Sequence, residues 1–298
     1  MFAYTPYDGS ATPFSIGLSA LDPDEWIEPD DEFALQMAEK ERLFRANEAQ
    51  VYQALEASLV SQAEMLDLLL AYLPHAHPQF YHHDETAREI ELRKTGAVYK
   101  IDDWGDAPLK LAARLIQDDI CLMTNSAEGY RLAAGALCFP SAWSLVEKFG
   151  QSMAAIHQDV PGYPGNMAAR VDRVFGALQT GRPVWRMNWS LYDAPDLHQP
   201  AAKSDKGQIS EVGPLKLDQL YIRVERQTLR RLPVSGDLAF TIRIYHDPVA
   251  CLGTLPHGKA LASGLRTQLQ NLDKDQLAYK GMTGQKEAIA ALLAQIDG

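Results

Sequence analysis

Cysteine is scarce in this sequence. Cys121, Cys138 and Cys251 are the only three in 298 residues. Thiols so few and so widely spaced cannot form a disulfide framework or a zinc ribbon. Each lies in an apolar stretch, so buried free thiols are expected, as suits a reducing compartment. Long apolar runs are also missing. The longest, such as Leu68–Leu73, falls far short of the roughly 20 residues a membrane helix needs. The opening MFAYTPYDGSATPFSIGL has no basic segment ahead of an apolar core, so no secretory signal is expected. Positive charge is in deficit, with 28 Lys and Arg against 39 Asp and Glu and a net charge of −11. That balance disfavours nucleic acid and anionic membrane surfaces as partners. The expectation is a cytoplasmic protein that binds neither. There is no Walker loop, GxGxxG, HExxH, GxSxG or CxxC, which removes the common nucleotide, zinc-peptidase, serine-hydrolase and thiol-redox readings.

What is present is an ordinary globular composition, 46% hydrophobic and 22% charged. Residues 1–30 are rich in Pro, Gly, Asp and aromatics without periodicity and read as an N-terminal arm. From Asp31 the apolar positions Phe33, Met37 and Leu43, then Val51, Leu55, Leu59, Met65, Leu69 and Leu73, fall at helical spacing. They predict two or three amphipathic helices ending at Pro74. The stretch His75–Arg93 is polar and irregular. Ala97–Ile101 alternates weakly. Asp119–Thr124 and Tyr130–Phe139, separated by the turn-like Asn125–Gly129, predict a hairpin. Ser144–His157 and Asn166–Leu178 carry helical spacing, and Val184–Leu191 reads as a strand.

Asp193–Leu217 is a turn-rich loop. Two clear strands follow, Gln219–Gln227 and Asp237–His246, each alternating apolar and polar side chains. The tail from Leu255 is helical with a break at Gly281. The order predicts an α+β fold, an antiparallel sheet with flanking and inserted helices. The sheet segments run from Ala97 to Tyr245, so residues 31–298 are expected to form one domain with helical wrapping at both ends.

Few residues stand out for chemistry. His157 ends a helical pattern beside the irregular VPGYPG. It reads either as a helix-end histidine favoured by the macrodipole or as a haem iron ligand on a rigid element. His75, His77, His82 and His83 read as exposed loop residues without a completing ligand set. The polar positions Tyr221, Arg223, Glu225 and Gln227, with Thr241, Arg243 and Tyr245 and with Arg186 and Asn188 on a third strand, form either a solvated sheet face or a polar pocket. In a pocket the arginines would grip carboxylates or propionates and Glu225 an amine. RQTLRRLP (Arg226–Pro233) reverses the global charge locally. It reads as a solvated face, a grip on a cofactor carboxylate or a dock for an acidic electron-transfer partner.

Several stretches taken together are more specific. They are QDDICLM (117–123), LCFPSAWSLVEKFGQSMAAIHQDVPGY (137–163), RMNW (186–189), YIRVERQTLRRLPVSGDLAFTIRIY (221–245) and AYKG (278–281). In identity and order they resemble the alpha-subunit-like, haem-binding family of haem-dependent oxidative N-demethylases. The resemblance implies a PAS-like antiparallel sheet carrying haem b. It further implies oxygen-dependent demethylation of a small secondary amine such as dimethylamine, with release of formaldehyde. It places NADPH, FMN and a 2Fe–2S cluster on separate reductase or electron-transfer subunits. It marks His157, in IH-x-x-VP, as the metal ligand, and Glu225 as the catalytic residue that positions the ammonium or relays protons. Arg223, Arg226 and Arg243 become cofactor-binding candidates for the propionates. The alternative it leaves open is a non-catalytic haem- or small-ligand-binding PAS-like sensor, or a structural subunit.

Overall fold

The structure is a computed structural model that describes residues 2–10, 13–127, 129–163, 167–201, 209 and 215–297. It is a mixed helix and antiparallel-sheet fold, as the α+β expectation holds. The strands are β1 (Ser19–Ala20), β2 (Tyr52–Ala54), β3 (Tyr81–Asp84), β4 (Glu89–Leu92), β5 (Ala97–Lys100), β6 (Asp119–Ser126), β7 (Gly129–Ala136), β8 (Val184–Tyr192), β9 (Tyr221–Arg231) and β10 (Leu238–Pro248). Seven of them form the main sheet in the order β1-β8-β9-β10-β6-β7-β2, and β3-β4-β5 form a separate meander. Every pairing is antiparallel. The two edge strands are the shortest, two and three residues, which limits exposed pairing edges.

The helices are α1 (Phe33–Val51), α2 (Leu59–Ala76), α3 (Pro108–Leu115), α4 (Leu145–Lys148), α5 (Met153–Ile156), α6 (Ala168–Ala177), α7 (Gly258–Asn271), α8 (Lys274–Tyr279) and α9 (Lys286–Asp297). α1 to α3 pack behind one half of the sheet, where Leu69, Leu73, Leu111, Leu115, Ile120 and Leu122 are fully buried together. α7 to α9 close a second core round Leu265, Leu269 and Leu293 against Trp189, Ile222 and Val224 of the sheet. At about 25 cal/mol per Å² of apolar surface, each such buried leucine is worth roughly 1.5–3 kcal/mol.

The structure departs from the sequence expectations at several points. α2 runs past Pro74 to Ala76. The proline sits in the last turn, and His77 N–H still donates to Leu73 O at 2.9 Å, so one lost backbone bond does not end the helix. Ser144–His157 is two short helices, not one. Between them Gly150 takes φ +75°, and residues 150–151 bond along β7, through Leu132 N–H to Gln151 O at 3.0 Å and Gly150 N–H to Leu132 O at 2.9 Å. β3 and β4 lie in the stretch that reads as irregular. α3 lies in a stretch where no element is expected. It is buried nearly all round, with Leu109, Leu111 and Leu115 at zero exposure. Cys251 is exposed, whereas Cys121 and Cys138 are buried. His77 is half-buried, its Nε2 2.7 Å from Ile27 O. Within the Asp193–Leu217 loop, residues 202–208 and 210–214 lie outside the described residues. No helix among the described residues is long and apolar enough to cross a membrane.

Candidate functional site

The register of the central strands decides what faces what. Residues directly paired in an antiparallel ladder point to the same face. Glu225 pairs with Ile244 and with Asn188, Gln227 with Ile242 and with Arg186, and Leu229 with Phe240. One face therefore joins the polar set of β8 and β9 to the apolar set of β10. Arg226 pairs with Arg243 and Val224 with Tyr245, so Thr241, Arg243 and Tyr245 lie on the opposite face from Arg223, Glu225 and Gln227. This corrects the expected grouping. Each strand's alternation is legible alone, but which faces coincide depends on the register of their pairing.

The first of these faces forms one wall of a cavity of about 1280 Å³. Arg186, Asn188, Glu225 and Gln227 give it a polar side, while Leu229, Leu238, Phe240 and Met123 give it an apolar side. Met153, Ile156 and His157 line it from α5, and Phe175 from α6. Phe14 from the N-terminal segment and Tyr279 from the end of α8 also reach it. Their rings meet edge to face at 5.7 Å.

His157 is held by short-range geometry. The Ser152 hydroxyl caps α5 by accepting from Ala155 N–H at 3.3 Å, and the pairing of residues 150–152 to β7 fixes that cap to the sheet. The imidazole follows the last residue of α5. Its Nδ1 lies 3.0 Å from Met153 O. A carbonyl only accepts, so Nδ1 carries the proton and Nε2 holds the free lone pair. Burial holds the imidazole below its ordinary pKa, with the positive Lys148 and Arg186 acting in the same direction against the Met153 carbonyl. The neutral, ligating form is therefore the one present at neutral pH. Two turns, Val160 N–H to His157 O at 3.0 Å and Tyr163 N–H to Val160 O at 2.9 Å, bring the Tyr163 ring onto the imidazole, stacked at 4.7 Å and 20°.

Glu225 stands on the central strand β9. Its Oε2 accepts from Gln227 Nε2 at 2.8 Å and from Asn188 Nδ2 at 3.5 Å. Burial, and after it the nearby Glu225 charge, pushes the Tyr279 phenol up to about 12. Arg186, across from Gln227, has its guanidinium pKa lowered by burial, an effect the Glu225 charge partly opposes.

The structure brings His157 and Glu225 to the same cavity. It does not bring Arg223, Arg226 and Arg243 to its lining. Arg223 donates to Ser141 Oγ and to the carbonyls of Phe139, Pro140, Asp196 and Leu197 at 2.8–3.2 Å. Arg226 holds the carbonyls of Glu25 and Trp26, with Glu28 at 3.2 Å. Arg243 holds Asp30 at 2.6 Å and Gln36 at 2.7 Å. These three guanidiniums tie surrounding segments to the sheet. In the cavity the arginine position is taken by Arg186.

Fold and cavity together define an α+β protein with a large, half-polar, half-apolar pocket against one face of an antiparallel sheet. Among the described residues no group of three or more His, Cys, Asp or Glu side chains could hold a metal ion. One neutral imidazole beside a cavity of this size fits a haem, which would need few ligands from the protein. Residues 17–290 match the family model of the haem-dependent oxidative N-demethylase, alpha subunit-like, and the chain belongs to that family. The family is haem-dependent, and its alpha-subunit-like name implies a multi-subunit complex. The residues present fit that cofactor.

Proposed function

We propose that this chain is the haem-carrying subunit of an oxygen-dependent amine demethylase. The reading adopts a PAS-like sheet, with residues 31–298 as the haem-binding unit and residues 1–30 as its arm. The observation that carries it is His157, whose Nδ1 is committed to Met153 O while Nε2 remains available in a cavity shared with Glu225. A fixed tautomer on a capped helix end is what a residue that would hold the haem iron requires. Haem b, when bound, supplies the activation of oxygen and the oxidation of the N-methyl carbon.

The chain's own residues do the rest. His157 would hold the haem iron through its Nε2. Glu225, steadied by Gln227 and Asn188, accepts the N–H of a small secondary ammonium such as that of dimethylamine and can take its proton. The apolar side, Phe240 with Leu229 and Leu238, excludes water from the methyl groups. Electrons come from NADPH through FMN and a 2Fe–2S cluster on separate reductase subunits.

The test is a reductase-coupled assay for formaldehyde from dimethylamine with the wild type and Glu225→Gln. The expected result is formaldehyde from the wild type and a 10²–10⁴-fold loss in the variant with its haem spectrum kept. A haem spectrum that responds to amines while no formaldehyde forms would assign a sensor instead.

A further inference from the structure

The arginines of the main sheet differ in how their donors are used. A guanidinium has five N–H donors. Arg223 spends its donors on five acceptors. Arg231 spends its own on the carbonyls of Leu178, Gly236 and Phe175 and on the Tyr130 hydroxyl. Arg243 has a carboxylate, an amide oxygen and a carbonyl. Among the described residues Arg186 has only Ser15 O, at 3.1 Å from Nη2. Its Nε is buried with no hydrogen-bond partner, as are those of Arg131, Arg226 and Arg243, but no carboxylate lies within ion-pair distance of Arg186 among the described residues. Yet it lines the cavity. The carboxylate nearest along the ladder, Glu225, is diagonal to it through the pairs Arg186–Gln227 and Asn188–Glu225, and is held by Gln227 and Asn188. A half-buried cation that lines a ligand-sized space without a carboxylate partner is completed by an anion.

We propose that Arg186 is a carboxylate-binding residue of the cavity, taking a planar anion on its terminal nitrogens. A guanidinium edge matches a carboxylate with two parallel N–H···O bonds. The proposal deepens the functional reading above and rests on its haem. Two sources offer that chemistry, a propionate of the haem and the carboxylate of an N-methylated amino acid. In the second case Glu225 takes the ammonium and Arg186 the carboxylate of one short zwitterion, which extends the substrate class beyond plain dialkylamines.

The experiment is calorimetric titration of the apoprotein, wild type, Arg186→Gln and Arg186→Lys, with protohaem, with protohaem dimethyl ester, with N-methylglycine and with dimethylamine. A propionate source predicts that wild type prefers protohaem over its ester by about 10- to 100-fold and that Arg186→Gln abolishes the preference. A substrate source predicts equal affinity for acid and ester. There, wild type prefers N-methylglycine over dimethylamine by a similar factor, lost in Arg186→Gln. Arg186→Lys retains part of either preference, since it keeps the charge and loses the fork. If wild type shows neither preference, or if Arg186→Gln retains it, the proposal is wrong; the wild-type comparison decides even where a variant does not fold. Wild type that takes up neither haem nor ester overturns the haem reading itself, while the N-methylglycine arm still judges Arg186.

Discussion

Arg223→Met puts the role of the most heavily bonded guanidinium to a quantitative test. Arg223 lies on β9 with 3% exposure and joins two segments, Phe139–Ser141 and Asp196–Leu197, through five hydrogen bonds. The first segment continues into Ala142, at φ +60°, and Trp143, both of which line the cavity with Ser141. A non-glycine residue in that conformation persists only where its surroundings hold it. Methionine keeps much of the volume and removes every donor. The bonds to Phe139 O and Pro140 O are fully buried, and a buried acceptor left unsatisfied costs about 1–3 kcal/mol. The other three acceptors are half-buried and rehydrate at little cost. Relief of the guanidinium's own desolvation, which lowers its pKa, offsets part of the loss. The net expectation is a destabilisation of about 2–4 kcal/mol. At about 2–3 °C per kcal/mol for a chain of this size, Tm falls by about 4–12 °C. Urea unfolding followed by tryptophan fluorescence, with calorimetry for Tm, measures it. A loss under about 1 kcal/mol would refute the view that Arg223 holds the cavity-lining loop, and would return it to the candidates for ligand contact.

Two further perturbations probe independent parts of the fold. Gly264 is helical, so alanine there gains about 0.8–1 kcal/mol of propensity, but its Cβ would lie 2.7 Å from Asp8 O and 2.9 Å from Tyr7 O. Backbone atoms cannot yield as a flexible side chain does, and Gly264→Ala is expected to cost about 1–3 kcal/mol; a stabilised variant in thermal melts would show that the N-terminal segment is not seated on α7. Asp119 is fully buried and accepts from Cys138 N–H and Phe139 N–H, each at 2.7 Å, yet burial outweighs these bonds and Lys40 and raises its pKa to about 6. The folded state thus holds this proton more tightly than the unfolded chain. Its contribution to stability is greatest below about pH 4 and falls by about 3 kcal/mol as pH rises to about 6. Asp119→Asn removes that component, so the stability difference between wild type and variant, followed by urea unfolding from pH 4 to 7, must slope across this window; parallel profiles would contradict it.

How much of this was legible in the sequence follows from the range of the interactions concerned. β9 and β10 show in their alternation, and α1 and α2 in their leucine spacing, because both patterns are local. α4 and α5 read as one helix because their apolar spacing continues across the break. What splits them is Gly150 and the bonding of residues 150–151 to a strand more than fifteen residues earlier. β3 and β4 escaped notice because four-residue strands such as YHHD and EIEL carry too few positions to show a period. At the site, His157 and Glu225 were visible as residue types in context. The arginines were ranked by their clustering in sequence, and clustering says nothing of acceptors. Arg223, Arg226 and Arg243 meet carbonyls and carboxylates supplied by residues 25–30, 36 and 139–197, which no local pattern announces. Arg186 stood apart only as a cation alternating out of RMNW. Its place in the cavity lining depends on the register of β8 with β9.

The central claim is that His157 presents Nε2 to haem iron. The most direct measurement is the ultraviolet–visible spectrum of haem-reconstituted wild type beside His157→Gly, with and without added imidazole. The account predicts a Soret band in the wild type that is lost or strongly shifted in the variant and returns with imidazole, a rescue that requires an empty ligand position and an intact cavity. A wild-type Soret spectrum unchanged in His157→Gly would contradict it.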